Sequence, residues 1–162
     1  MEYSKDLEQR LGVTELMDKL EVEFSSVYPY KYSTRPLEVL RKVKVFLHQY
    51  WNERRTLFRG SVLDSTDCLT IAILANTLAS RRWVKTRIAR PRKLTRYYHA
   101  ILIYESKKGE EIFKVSGRYK KYDWIVLTPH EVEFRLRYIK PILDLANFLR
   151  CNNVPAYQEN RV

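Results

Sequence analysis

The sequence predicts an α+β domain in which helices pack on an antiparallel sheet. Apolar residues recur at helical spacing before residue 80 and after residue 128, whereas between residues 84 and 127 they alternate with polar residues. The 162 residues are 45% apolar and include only 4 glycines, which is typical of a globular chain with short loops. We therefore expect a single domain over residues 1–162. Its expected parts are helices over 1–58, a core helix and sheet over 59–127, a C-terminal helix over 128–150 and a tail over 151–162.

The first half of the chain predicts three helices. Leucines recur at nearly helical spacing among charged residues over 4–24, which indicates an amphipathic helix. A second helix is expected from about Pro36, which follows a capping residue, to about Phe58. Residues 68–79 are apolar on nearly every side, so we interpret them as a central buried helix.

The alternating region predicts a four-stranded antiparallel meander packed against that buried helix. Its strands are expected over 84–88, 97–104, 112–116 and 122–127, and Lys107-Lys-Gly-Glu110 is a hairpin turn. Thr128-Pro-His-Glu131 then has the pattern of a helix N-terminal capping box, with proline at the first helical position.

The chain is strongly basic, with 30 Lys and Arg against 19 Asp and Glu and a net charge of +11. Half of residues 81–96 are cationic and none is acidic. The cations are Arg81, Arg82, Lys85, Arg87, Arg90, Arg92, Lys93 and Arg96. Clustered cations bind phosphates, and aromatic residues among them, such as Tyr122 beside Lys121, stack on unpaired bases. One hypothesis is therefore a non-enzymatic protein that binds DNA or RNA through this segment. The alternative is a solvated basic face with no partner.

A second hypothesis rests on Cys68 and His99. Cys68 stands at the predicted start of the buried helix, where the positive helix end and the free backbone N–H groups favour a thiolate and can hold an oxyanion. A thiolate nucleophile needs an imidazole beside it, and His99 lies 31 residues later, at the start of the strongest predicted strand.

Residues 60–117 resemble the transglutaminase-like branch of the papain-like cysteine enzymes. The resemblance is carried by Ser65-Thr-Asp-Cys68, the apolar helix that follows, and Tyr98-His99-Ala-Ile-Leu-Ile-Tyr104. It implies a helix packed on an antiparallel sheet, with Cys68 as nucleophile, His99 as base, and hydrolysis or acyl transfer on a protein or peptide substrate. The family's third residue, Asp or Asn, should fall near Ser116. A serine there would not stabilise an imidazolium as a carboxylate does, so both an active and a degenerate enzyme remain open.

Other site classes find little support in the sequence. The two cysteines and three histidines are scattered without ligand spacing, so we expect neither a metal site nor a cofactor. Glu105-Ser-Lys107 matches one element of metal-dependent nucleases but lacks an upstream aspartate on an adjacent strand. Because no apolar stretch reaches the roughly 18–20 residues of a membrane span and residues 1–25 are charged throughout, we expect a cytoplasmic protein without membrane contact.

Overall fold

The computed structural model describes residue 9 and residues 14–28, 35–53, 68–93, 99–115 and 121–137, apart from the side chain of Trp51. In chain order the elements are α1 (Thr14–Val27), α2 (Pro36–Glu53), α3 (Cys68–Ser80), β1 (Thr86–Pro91), β2 (Ile101–Ser106), β3 (Gly109–Lys114), β4 (Trp124–Val126) and α4 (residues 129–137). The predicted α+β fold is confirmed. The first part of the predicted N-terminal helix, residues 138–150 and the tail lie outside the described residues.

Helix α3 is buried along almost its whole length, as its apolar sequence predicted. Every residue from Leu69 to Ala79 is at most 7% exposed. A helix that is apolar on all sides requires neighbours on all sides. Helices α1 and α2 pack against it, and strands β1 and β2 cover another side.

Asn76 fixes the direction in which α3 crosses the sheet. Its side-chain Nδ2 donates hydrogen bonds to the carbonyl oxygen of Thr86 at 2.9 Å and to Thr86 Oγ1 at 2.7 Å. Asn76 lies near the C-terminal end of α3, and Thr86 is the first residue of β1. Helix α3 therefore runs antiparallel to β1, and its first residue, Cys68, lies toward the Pro91 end of that strand.

Helices α1 and α2 are amphipathic and turn their apolar faces toward α3. The buried apolar residues are Leu16, Met17, Leu20 and Phe24 in α1, and Val39, Leu40, Val43, Phe46, Leu47 and Tyr50 in α2. The rings of Phe24 and Phe46 join the two helices edge to face, with centroids 5.2 Å apart.

The sheet is antiparallel and four-stranded, in the order β3-β2-β1-β4. Strands β1 to β3 form the predicted meander, and Gly109 supplies the left-handed φ of +103° that the β2–β3 hairpin requires. The prediction that β4 continues the meander is wrong, because β4 pairs with β1 through Ala89 and Val126. The strands thus have the spatial order of a Greek key, in which the fourth strand returns to the side of the first.

Strand alternation gives the sheet two unlike faces. The inner face packs on the helices and carries Ile88, Leu102, Tyr104 and Phe113, all members of the core. The opposite, outer face carries the alternate residues of each strand. These are Arg87, Ala89 and Pro91 on β1, Ile101, Ile103 and Glu105 on β2, Glu110, Ile112 and Lys114 on β3, and Trp124 and Val126 on β4.

The predicted capping box begins α4. The Thr128 N–H donates to Glu131 Oε1 at 3.4 Å, and the Glu131 N–H donates to Thr128 Oγ1 at 3.3 Å. Glu131 also accepts a hydrogen bond at 2.5 Å from Nε of Arg90, which ties α4 to β1. Partial burial acts to raise the pKa of Glu131, but the hydrogen bonds from Arg90 and Thr128 outweigh it, so the pKa is lowered.

Helix α3 ends in a Schellman motif whose left-handed residue is a tryptophan. The Val84 N–H donates to the Ala79 carbonyl oxygen at 2.9 Å, and the Trp83 N–H donates to that of Ser80 at 3.1 Å. Trp83 has a φ of 64°, at a position that normally holds glycine. Trp83 is 88% exposed, so contacts of its ring with the rest of the protein do not compensate for the strain of this backbone conformation.

We expect Trp83→Gly to be more stable than Trp83→Ala by about 1 kcal/mol, because both remove the exposed ring but only glycine avoids the Cβ clash of a left-handed backbone. Urea denaturation of the two variants beside the wild type measures the difference. Equal unfolding free energies for the two variants would contradict a left-handed residue 83.

Candidate nucleic-acid interface

We call residues 81–96 the basic segment. Of its seven cations that the structure describes, five pair with a carboxylate of the same chain. The pairs are Arg81 with Asp18, Arg82 with Glu21, Arg87 with Glu110, Arg90 with Glu131, and Arg92 with Asp123. The partners come from α1, β3, α4 and the approach to β4, so each arginine joins the segment to another part of the fold. The eighth predicted cation, Arg96, lies outside the described residues.

Arg82 is the most deeply engaged of these arginines, and its contacts hold α1 against the end of α3. Its side chain is only 8% exposed and pairs with Glu21 at 2.7 Å. The guanidinium also donates to the Leu78 carbonyl oxygen at 3.1 Å and lies over the Phe24 ring at 4.0 Å. Arg82 and the part-buried Arg90 therefore stabilise the packing of neighbouring elements, although the sequence analysis predicted that they would contact nucleic acid.

The exposed cations of the segment are available to an outside anion. The side chains of Arg92 and Asp123 are 64% and 69% exposed, and the Arg87–Glu110 pair is also open to solvent. Surface ion pairs contribute about 0–1 kcal/mol, so a phosphate can replace the carboxylate at little cost. Lys85 and Lys93 are exposed, and among the described residues neither has a carboxylate within ion-pair distance.

Three rings come together at one end of the outer face. His99 and Tyr122 have ring centroids 5.5 Å apart, and Tyr122 and Trp124 have centroids 5.4 Å apart in an edge-to-face arrangement. All three residues are half-buried. We call His99, Tyr122 and Trp124 the aromatic group.

The unforeseen pairing of β4 with β1 assembles the aromatic group. Pro91 of β1 pairs with Trp124 on one side, and the β1–β2 register places it opposite His99 on the other. Arg92, Lys93 and Lys121 adjoin the group along the chain, and Arg92 is fixed there because its backbone N–H donates to the Asp123 carbonyl oxygen at 2.7 Å. The sequence marked Tyr122 as an aromatic residue among cations but gave no sign that Trp124 and His99 would flank it.

Cys68 and His99 lie at the same end of the α3–sheet layer but have different neighbours. As predicted, α3 begins at Cys68, which is half-buried against the core and not in a disulfide. His99 stands two residues before β2, and its ring lies against Tyr122. Alternation assigns Ala100 and Leu102 to the inner face and therefore His99 to the outer face, away from α3. Ser116, the predicted third member, lies outside the described residues.

No cluster of three or more potential metal ligands occurs among the residues that the structure describes. Glu105 of the nuclease-like element is exposed near the end of β2, and Lys107 lies in the following turn. Within the same residues, no helix is long and apolar enough to cross a membrane.

Comparison with protein-family models, with curated proteins and with solved structures found no match in any of the three.

Arg82→Ala should lower the unfolding free energy by about 2 kcal/mol. The partly buried carboxylate of Glu21 loses its ion-pair partner, and the ring of Phe24 loses its contact with the guanidinium. Arg92→Ala, which removes the same charge from an exposed pair, should cost at most about 0.5 kcal/mol. Urea denaturation at neutral pH tests both variants. A loss as large for Arg92→Ala as for Arg82→Ala would mean that the exposed pairs also brace the fold.

Proposed function

We propose that this protein binds single-stranded nucleic acid on the outer face of its sheet, around the aromatic group. The observation that carries the proposal is the meeting of three half-exposed rings with Arg92, Lys93 and Lys121 at one end of that face. The inner face is committed to the core, and the middle of the outer face is also buried at Ala89 and Ile101, so a ligand can approach this face only toward its end, where the aromatic group lies beside exposed cations.

Charge favours a polyanionic ligand. The whole chain carries +11, which attracts phosphates from a distance. Among the described residues that adjoin the aromatic group, Arg92, Lys93 and Lys121 are cations and Asp123 is the one carboxylate, and Lys114 lies on the same face of the sheet. Because the Arg92–Asp123 pair is exposed, the guanidinium can exchange its carboxylate for a phosphate.

The rings favour a single strand over a duplex. The faces of bases in a duplex are covered by their neighbours, whereas unpaired bases stack on aromatic side chains, each stack contributing about 1–3 kcal/mol. Stacking makes few demands on base identity, and the described residues contain no grouping that would read a sequence. We therefore expect binding that depends on strandedness and salt more than on sequence.

Fluorescence anisotropy with labelled single strands of about 12 nucleotides, DNA and RNA, tests this function against a duplex of the same sequence. Binding to single strands should be tighter than to the duplex and should weaken steeply between about 50 and about 200 mM salt, because bound cations release counterions. Tyr122→Leu keeps apolar bulk but loses the stacking surface, and should weaken single-strand binding by about 5- to 100-fold.

Paired charge variants separate the interface from the general charge of the chain. Lys93→Ala with Lys121→Ala should reduce the slope of log affinity against log salt by about 1.4, or about 0.7 for each phosphate contact. The control, Lys19→Ala with Lys42→Ala, removes the same charge from α1 and α2 and should leave the slope nearly unchanged. Undetectable single-strand binding at the lower salt would reject the proposed function.

A cysteine hydrolase or acyl transferase, acting on a protein or peptide substrate, is the second candidate. One observation favours it. The hydrogen bonds of Asn76 orient α3 so that Cys68 lies at the end of the sheet where β2 begins, and His99 immediately precedes β2. Because His99 stands before the strand, its imidazole would have to reach Cys68 around the end of the sheet. This candidate is compatible with the first, since a degenerate enzyme fold can carry a binding surface.

The rate of Cys68 alkylation by iodoacetamide, followed from about pH 4 to about pH 10 in a Cys151→Ser background, tests this pair. A thiolate held by an imidazolium reacts at pH values well below the free-thiol midpoint of about 8.5. His99→Ala should then move the midpoint upward, whereas the control His130→Ala, on the exposed start of α4, should not. A midpoint near that of a free thiol in all three proteins would reject the pair.

A further inference from the structure

The sheet has one long exposed edge, which is formed by β3. Strand β3 lies at the end of the strand order, and among the described residues no strand pairs with it on the side away from β2. Four of its six residues are exposed, including Ile112 at 45%. The other edge, β4, has only three residues, all half-buried. An exposed edge strand presents unpaired backbone groups that can pair with another chain.

The β2–β3 hairpin determines which backbone groups face the open edge. Ser106 and Gly109 close a two-residue turn, and residues in these positions exchange backbone hydrogen bonds with each other. Hydrogen-bonded pairs alternate with non-bonded pairs along an antiparallel ladder, so Glu110, Ile112 and Lys114 are in non-bonded pairs with β2. Their N–H and C=O groups therefore point away from β2, toward the edge. The same residues carry their side chains on the outer face.

The order of side chains along this edge is self-complementary. Ile112 lies between an anionic residue, Glu110, and a cationic residue, Lys114, each two positions away. When two copies of β3 pair antiparallel about a two-fold axis at Ile112, each Glu110 lies opposite Lys114 of the other copy. The edge-facing backbone groups then meet in hydrogen-bonded pairs, and the two isoleucines meet at the centre. Pairing centred on Glu110, Glu111 or Lys114 would instead place like charges directly opposite each other.

On the outer face, this pairing brings a cation to two carboxylates that already face each other. Glu105 of β2 lies directly opposite Glu110 of β3, and Arg87 pairs with Glu110. Like charges in opposite positions destabilise a sheet. Among the described residues, Lys114 has no carboxylate within ion-pair distance, so it is available to the Glu110 of a neighbouring copy.

Lys44 of α2 adds a second charge pair on the inner side of the edge. Its Nζ lies 5.7 Å from the centroid of the Phe113 ring, and among the described residues it has no carboxylate within ion-pair distance. In the pairing centred on Ile112, Phe113 lies opposite Glu111 of the other copy. The Tyr104 hydroxyl donates to Glu111 Oε2 at 2.7 Å, which holds that carboxylate at the edge. The ammonium group of Lys44 therefore gains an opposite charge from the second copy.

We propose that the protein associates with a second copy of itself through β3, in the antiparallel register centred on Ile112, so that two four-stranded sheets join into one. The charge order of the edge selects this partner, because the strand complements its own sequence. The contact lies at the opposite edge of the sheet from β4 and the aromatic group. It therefore does not rest on the proposed function and leaves the aromatic group accessible.

Charge exchange across the two-fold axis tests the inference. Glu110→Lys and Lys114→Glu each turn both opposite-charge pairs into like-charge pairs, so each variant alone should raise the dimer dissociation constant by about 10-fold or more. An equimolar mixture of the two variants should form heterodimers about as tightly as wild type, because opposite charges then face each other again. Sedimentation velocity over a range of protein concentrations measures each sample. The control Lys19→Glu, on α1, changes the net charge as much as Lys114→Glu does and should leave the dissociation constant nearly unchanged.

The mixture also controls for folding, since an unfolded variant would not recover a dimer when its counterpart is added. Wild type that stays monomeric up to about 1 mM, where even weak contacts are populated, would overturn the inference. The inference also fails if both variants dimerise as tightly as wild type, which would place the contact elsewhere, or if the mixture does not recover. The charges of β3 would then serve only to protect the edge from pairing. These measurements contain no nucleic acid, so their outcome is separate from that of the proposed function.

Discussion

The burial of α3 is the constraint on which the rest of the described structure depends. Eleven consecutive residues, Leu69 to Ala79, are almost inaccessible to solvent, so the helix needs cover on every side. Fully burying a single leucine or isoleucine side chain contributes about 1.5–3 kcal/mol, and α3 contains five of them. Two amphipathic helices and one face of a sheet meet this need. The division of the sheet into an inner and an outer face follows directly.

Polar residues in and beside α3 then determine how these layers align. Asn76 bonds to Thr86 and sets α3 antiparallel to β1, while Arg82, just beyond the helix, locks α1 in place through Glu21 and Phe24. Arg90 holds α4 against β1 in the same way, through its ion pair with Glu131. Some arginines of a segment that resembles a ligand-binding surface therefore stabilise the fold through ion pairs within the chain. Burial separates the two roles, since a desolvated pair is costly to break and an exposed pair contributes little.

Stability and the proposed function use opposite faces of one sheet. The inner face is filled by core side chains, whereas one end of the outer face combines aromatic rings with exposed cations. Trp83 does not serve stability, because a glycine at its position would suit the backbone better than a tryptophan does. A residue that costs stability and contacts solvent is more readily explained by an external partner than by the fold.

By itself, the sequence determined the features that depend on local spacing. Periodicity identified α1, α2 and α3, alternation identified the four strands, and the Thr128–Glu131 pattern located the start of α4, because each signal involves residues within a few positions of one another. The same local reasoning placed Cys68 at a helix start, His99 beside a strand and a dense run of cations in residues 81–96. It could not say which of these residues would meet.

Only the tertiary structure decided the long-range contacts. The pairing of β4 with β1 brings Trp124 beside Pro91 and so assembles the aromatic group, and no local pattern distinguishes this partner from β3. Glu21, Glu110 and Glu131 are 61, 23 and 41 residues away from the arginines that they neutralise. The face assigned to His99 follows from strand register, and the left-handed Trp83 follows from the way α3 must end to let β1 return along it. Each of these outcomes depends on how whole elements pack, and the free energy of that packing is not encoded in any short stretch of the chain.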